Sequence, residues 1–224
     1  NALTPLVTTH APCHLSYVIF SMQRSGTTTL CRDLNRLKMN CLFELFNWGE
    51  HNAGLRWGKH LNISAEQAER WPMEYISRVL RAENTTRPIG QHIAKIGSMD
   101  GPTRVQCQSG FKLFPGHHLP PEAAAKLATT CIIFRRQNVS AQYLSWKRAS
   151  TYGGGCWGTR PDDQRDCHEK APTIIGDDFE EFKRKYTEWY LSVEKACVGR
   201  TIVQWTTEGY LTQVRSVLEI MNLL

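Results

Sequence analysis

Tyr17-Val18-Ile19-Phe20-Ser21-Met22-Gln23-Arg24-Ser25-Gly26-Thr27-Thr28-Thr29-Leu30 passes from an apolar run through a short polar turn into a helical pattern. The apolar run reads as a buried strand, and the turn as the bend that starts a helix. A glycine-containing turn at a helix N-terminus offers an anion backbone N–H groups and the positive end of the helix dipole. Arg24 adds a cation, and Ser25, Thr27, Thr28 and Thr29 add hydroxyls. The NTPase P-loop requires G-x-x-x-x-G-K-[ST]. Here no lysine follows Gly26 and no early glycine opens the turn. The segment therefore reads as a phosphate cradle whose ligand need not be ATP.

The same pattern repeats along the chain. Apolar runs at Gly110 to Phe114, Cys131 to Phe134 and Thr201 to Trp205 predict three more buried strands. Helical spacing covers Thr28 to Leu37, Pro121 to Leu127, Val139 to Ala149, Phe179 to Val198 and Leu211 to Met221. Ala65 to Ala82 is also helical, with Pro72 set to kink or restart it. Strands alternating with helices predict an α/β layered fold with parallel strands joined by crossovers. Such sheets bind ligands beyond the carboxyl ends of their strands, which is where the Arg24 turn falls. His51 to Asn62 and Thr151 to Thr173 read as loops. Their aromatics Trp57 and Trp157, together with Trp48, could stack on sugar rings.

Composition narrows the function. A chain of 224 residues is enough for one domain with a real core. No run reaches the roughly 18 apolar residues of a membrane span. The net charge of +6 suits an anionic ligand, but it is too scattered to suggest nucleic acid. The chain begins at Asn1 with no visible signal peptide, and reads as an excised or processed domain. Its eight cysteines form no C-x-x-C pair, which argues against a zinc ribbon or thioredoxin site. Cys156 and Cys167 are the best candidates for a disulfide; Cys31 and Cys131 read as buried free thiols. Three N-x-[ST] triplets begin at Asn62, Asn84 and Asn138. With the cysteines, they favour a secretory lumen over the cytoplasm.

A second anion site follows the third predicted strand. Arg135 and Arg136 leave the strand end, and Ser145 lies about two turns into the next helix. An arginine and a hydroxyl so placed can close around one phosphate. Glu44, set among Leu42, Phe43, Leu45 and Phe46, is the candidate general base. Partial desolvation is expected to raise its pKa toward neutrality. Glu50, His51, His117 and His118 are rival bases. Lys112 closes a strand at the same edge, where it either neutralises a reacting anion or keeps its head in solvent.

Together these features resemble PAPS-dependent sulfotransferases (PAPS is 3′-phosphoadenosine 5′-phosphosulfate). Their 5′-phosphosulfate loop reads roughly P-R-S-G-T-T, against Gln23-Arg24-Ser25-Gly26-Thr27-Thr28 here. Their 3′-phosphate motif is an arginine after a strand with a serine eight or nine residues on, matched by Arg136 and Ser145. The chain is most similar to the trehalose 2-sulfotransferase-like group, with its R-x-D-x-x-A-Q-A-x-S-x-x-x-A motif. Arg136, Asn138, Ala141, Gln142, Ser145 and Ala149 fall in that register. Glu44-Leu45-Phe46 and Gly110-Phe111-Lys112-Leu113 match weaker motifs, and Thr207-Glu208-Gly209-Tyr210-Leu211 echoes another. Gln23 replaces the usual proline, and Asn138 replaces an aspartate.

The resemblance implies a single domain over residues 1–224 with a three-layer P-loop-type fold, shortened at its C-terminus. It implies sulfuryl transfer from PAPS to a carbohydrate or glycan hydroxyl by in-line displacement. PAP (adenosine 3′,5′-bisphosphate) would be the product, and no metal is required. Arg24, Ser25, Gly26, Thr27, Thr28, Thr29, Arg136 and Ser145 would hold the donor, with Glu44, Arg24 and Lys112 catalytic. A Golgi lumen setting follows, with any membrane anchor outside this chain. Two other readings stay open: a kinase or NTPase with a degenerate P-loop, and a non-catalytic nucleotide-binding module.

Overall fold

The computed structural model describes residues 14–36, 39–49, 52–85, 108–152 and 175–212. Five parallel strands form one sheet: β1 His14–Phe20, β2 Asn40–Cys41, β3 Gln108–Leu113, β4 Thr130–Arg135 and β5 Thr201–Thr206. Their order is β2-β3-β1-β4-β5. The four predicted strands are present, each extended at one end or both, except that β3 ends at Leu113 and leaves Phe114 outside it. The two-residue β2 pairs Asn40 with Ser109 and Cys41 with Gly110. It is too short to leave an apolar run in the sequence.

The sheet is buried on both faces, as parallel sheets are. Alternation along β1 sends Val18 and Phe20 into one core and Tyr17 and Ile19 into the other. Helix α1, Thr27–Arg36, covers the second face through Leu30 and Leu34. The first face carries α2 Ala53–Leu61, α3 Ala65–Arg70, α4 Pro72–Thr85, α5 Pro121–Leu127, α6 Val139–Tyr152 and α7 Phe179–Ala196. A last helix, α8 Thr207–Thr212, follows β5 directly. Helices on both faces of a parallel sheet make this an α/β three-layer architecture.

Several expectations are refined. Pro72 does restart the helix, so Ala65 to Ala82 becomes α3 and α4. The predicted helix at Leu211 to Met221 begins earlier, at Thr207, and its part beyond Thr212 lies outside the described residues. So does the Thr151 to Thr173 loop beyond Tyr152, with Trp157 and the Cys156–Cys167 pair. His51 to Asn62 is not a loop: Ala53–Leu61 is helical. Its glycines are there for close approach. A Cβ on Gly54 would come within 2.5 Å of the Asn47 carbonyl oxygen, and one on Gly58 within 2.1 Å of the Trp48 ring. Trp57 is buried in the core of this helix and is not a loop aromatic.

The cysteine expectation is also corrected. Cys31 is bonded to Cys41, and Cys131 to Cys197. The first bridge ties α1 to β2 and the second ties the end of α7 to β4. Such bridges persist in oxidising compartments. No helix among the described residues is long and apolar enough to cross a membrane.

Candidate functional site

The turn after β1 is held from several sides. The Ser21 hydroxyl donates to the Phe134 carbonyl at the end of β4 (2.7 Å), and the Tyr190 hydroxyl donates to the same oxygen (2.8 Å). Gln142 on α6 donates from its side-chain amide to the Gln23 carbonyl at 2.8 Å. The Thr207 hydroxyl donates to the Ser25 carbonyl, and also lies 3.3 Å from the Arg135 carbonyl. Strands β1 and β4, helices α6 and α7 and the start of α8 thus converge on one loop. Its geometry is set by protein contacts.

Within the loop, Arg24 takes the left-handed region (φ 64°) and so does Gly26 (φ 87°). Glycine alone adopts this conformation without cost. A Cβ at position 26 would also stand 3.3 Å from Thr207 Cγ2. The Thr29 and Leu30 amides donate back to the Gly26 carbonyl, so the helix begins there. Helix geometry then leaves the Gly26, Thr27 and Thr28 amides without intrahelical acceptors. The Ser25 and Thr27 side chains are buried, Ser25 against the Ser21 hydroxyl. Any anion here meets their backbone amides first, together with the hydroxyls of Thr28 and the exposed Thr29.

The two predicted anion sites meet. Arg24 Nε donates to Ser145 Oγ at 2.9 Å, across 121 residues of sequence. Arg136 Nη1 donates to the Arg24 carbonyl at 3.4 Å. Burial lowers the Arg24 pKa, and the positive field of Arg136 lowers it further. An anion between the two guanidiniums would relieve that field. The segment after β4 is itself capped: the Glu208 carboxylate accepts from the Gln137 and Asn138 amides at 2.9 and 3.3 Å. Asn138 Oδ1 accepts from the Ala141 amide and caps α6.

Glu44 stands beside this cradle. Past β2 the chain turns through Phe43 in the left-handed region (φ 56°), while the Leu42 amide and the Phe43 carbonyl bond to Gly110 and Lys112 of β3. Lys112 is 1% exposed, and its Nζ lies 3.1 Å from Glu44 Oε1. The same ammonium donates to Thr28 Oγ1 at 3.4 Å and lies near the Phe43 and Phe114 rings. Of the two readings of Lys112, the solvated head is overturned: the head is buried on its carboxylate.

Asn47 donates to Glu44 Oε2 at 2.8 Å, and His117 Nε2 faces that oxygen at 3.8 Å. The expected upward shift of Glu44 is therefore reversed. Burial does push its pKa up, but Lys112, Asn47 and His117 together hold it below the ordinary carboxylate value. Burial drives His117 down to about 4 despite Glu44. The Phe114 amide donates to His117 Nδ1, so the neutral ring carries its proton on Nε2, toward Glu44. His117 is therefore oriented against the carboxylate; Glu50 and His51 lie outside the described residues.

Sequence reasoning missed Thr207 and Glu208 as parts of this site. Their signal was weak but present: two polar residues directly past the carboxyl end of a strand, where α/β sheets collect ligand contacts. Among the described residues no three His, Cys, Asp or Glu side chains cluster as a metal site. No family model matches this chain, and no curated protein matches it significantly.

Proposed function

We propose that this protein is a PAPS-dependent sulfotransferase that sulfates a carbohydrate or glycan hydroxyl, and that its fold is of the P-loop type. One observation carries the reading. Lys112 joins the candidate base Glu44 (3.1 Å) to Thr28 of the anion cradle (3.4 Å), and the cradle joins the second anion site through Arg24 and Ser145. A candidate base, a buried cation and the two candidate anion sites thus lie along one edge of the sheet.

The residues present suit the donor. The Gly26, Thr27 and Thr28 amides with Arg24 would hold its 5′-phosphosulfate, and Arg136 with Ser145 its 3′-phosphate. A side chain at position 26 would be strained by its left-handed backbone and would crowd Thr207. PAPS, when bound, supplies an activated sulfuryl group on a good leaving group. Arg24 and the helix start stabilise the charge that develops on the departing phosphate; each such preorganised donor contributes about 3–4 kcal/mol. Glu44 accepts the acceptor hydroxyl's proton on its carboxylate. It is already ionised at neutral pH because Lys112 and Asn47 keep it so. A positioned base of this kind contributes on the order of 100- to 10,000-fold.

The locked Glu44–Lys112 pair also favours a second reading, a nucleotide-binding module in which the pair is structural. Labelled PAPS incubated with a panel of sugars, glycans and small alcohols separates the two. Labelled sulfate ester that disappears in Arg24→Ala supports the enzyme. Adenosine 3′,5′-bisphosphate at about 100 times Kd should add roughly 2.7 kcal/mol of stability, and ADP with Mg²⁺ should not. No transfer to any acceptor together with no bisphosphate stabilisation would defeat both readings.

A further inference from the structure

Asn62 opens the triplet Asn62-Ile63-Ser64, and these residues form the whole bridge between α2 and α3. The bridge is a sharp exposed bend. Asn62 caps α2 in the left-handed conformation (φ 53°, ψ 50°), and its amide closes on the Gly58 carbonyl. Ser64 caps α3, exchanging hydrogen bonds with Gln67 in both directions. The Asn62 side chain is exposed and makes no hydrogen bond among the described residues. Asn138 differs. Its side-chain oxygen is committed to the α6 cap, and it stands next to Arg136 at the nucleotide cradle.

Asn62 also lines a shallow open groove with Ile63, Gln67, Trp71, Glu74 and Arg78. Trp71, which caps α3, is 48% exposed, with the Arg70 guanidinium 5.0 Å from its ring centre. An aromatic face ringed by Gln, Glu and Arg suits a sugar: the indole meets ring C–H groups while amide, carboxylate and guanidinium meet hydroxyls. A sugar fixed to Asn62 would start inside this groove. Both disulfides fit the compartment where such a modification is made.

We propose that Asn62 carries an N-linked glycan whose first sugars lie in this groove against Trp71. The Asn62 amide nitrogen forms a bond to the anomeric carbon of a lipid-pyrophosphate-linked oligosaccharide. It loses one proton, and the carbon–oxygen bond to the lipid pyrophosphate breaks with both electrons leaving on the pyrophosphate. No oxidant or reductant enters. The glycan covers the most exposed indole described on the α3–α4 face, and this inference does not depend on the sulfotransferase reading.

The test is the full chain secreted from a eukaryotic host behind a cleavable signal peptide. Peptide mass spectrometry after glycan release by an amidase in heavy-oxygen water should find a labelled aspartate at position 62. Acrylamide quenching should then show one indole that is shielded in the glycosylated protein and open after release or in Asn62→Gln. Trp71→Phe should abolish that difference and leave the glycan in place. An unmodified position 62 overturns the proposal. Glycan at position 62 with identical quenching before and after release overturns its placement against Trp71.

Discussion

Glu44→Gln should destabilise the protein far more than an exposed glutamate would, and the loss should shrink as the pH rises. Lys112 is 1% exposed and Glu44 is the carboxylate beside it, at 3.1 Å. Removing one partner of a buried pair costs about 3–5 kcal/mol because the other charge is stranded. An independent bound agrees. The stranded lysine can release its proton, and from an ordinary value of 10.5 that costs at most about 5 kcal/mol at pH 7. In that state the unfolded chain binds one more proton than the folded one. Stability of the variant then climbs with pH relative to the parent, by about 2–3 kcal/mol between pH 7 and 9. Lys112→Met removes the charge from the interior and leaves Glu44 partly solvated on Asn47. It should cost much less, and added to Glu44→Gln it should restore most of the loss. Urea unfolding followed by circular dichroism, run at pH 7, 8 and 9 on all four proteins, measures this. At 2–4 °C per kcal/mol for a domain of this size, the melting temperature of Glu44→Gln should fall by roughly 6–20 °C at pH 7. A Glu44→Gln variant as stable as its parent at every pH would refute the reasoning, since Lys112 would then need no carboxylate.

Acid should weaken the wild-type fold in two stages. His117 is neutral and buried with a pKa of about 4, so below pH 6.5 the unfolded chain takes up a proton that the folded one refuses. Stability drops by about 3 kcal/mol between pH 6.5 and 4, and His117→Phe should flatten that limb in a pH series of urea midpoints. Glu44, held below its ordinary value, adds a loss only at lower pH still, as it protonates; the acid limb of transfer activity should likewise lie below the usual carboxylate range. Gly26→Ala should lower stability by about 1–2 kcal/mol through its left-handed backbone, and weaken bisphosphate binding in a thermal-shift titration as Thr207 is pushed. Cys131→Ala should cost more than Cys31→Ala, about 4 against about 3 kcal/mol, because the bridges span separations of 66 and 10 residues; equal losses on denaturant melts would contradict the loop-entropy account.

The parts of this molecule that were legible in advance are those whose physics is local. Four apolar runs gave four strands, and Pro121 to Leu127 gave its helix with both ends correct. That the Arg24 turn and the Arg136 segment with Ser145 share one edge was also readable, because both segments leave strands there; the bond from Arg24 to Ser145 itself was not. Long-range packing hid the rest. Gly54 and Gly58 look like helix breakers until Trp48 and the Asn47 carbonyl are seen against them. Cys31 and Cys131 look like small core hydrophobes until Cys41 and Cys197 arrive from elsewhere in the chain. The direction of the Glu44 shift was misread for the same reason. Its apolar neighbours in sequence announce burial, whereas Lys112 and His117 reach it only through the β2–β3 pairing and the turn beyond β3, and Asn47 through the local turn after it.

Because β1 lies mid-sheet and its cradle is fastened by β4 and by the start of α8, this chain must be made in an awkward order. Ser21 meets Phe134 after 113 further residues, and Ser25 meets Thr207 after 182. A ribosome adding about 5–20 residues per second takes roughly 10–40 s to cover that span. For the first part of that interval, roughly 4–18 s until β3 begins to follow at Gln108, the apolar run Tyr17 to Phe20, fully enclosed in the finished protein, has neither neighbouring strand beside it. Until β3 and then β4 emerge, that run is exposed apolar surface on the nascent chain, of the kind that invites aggregation or a chaperone.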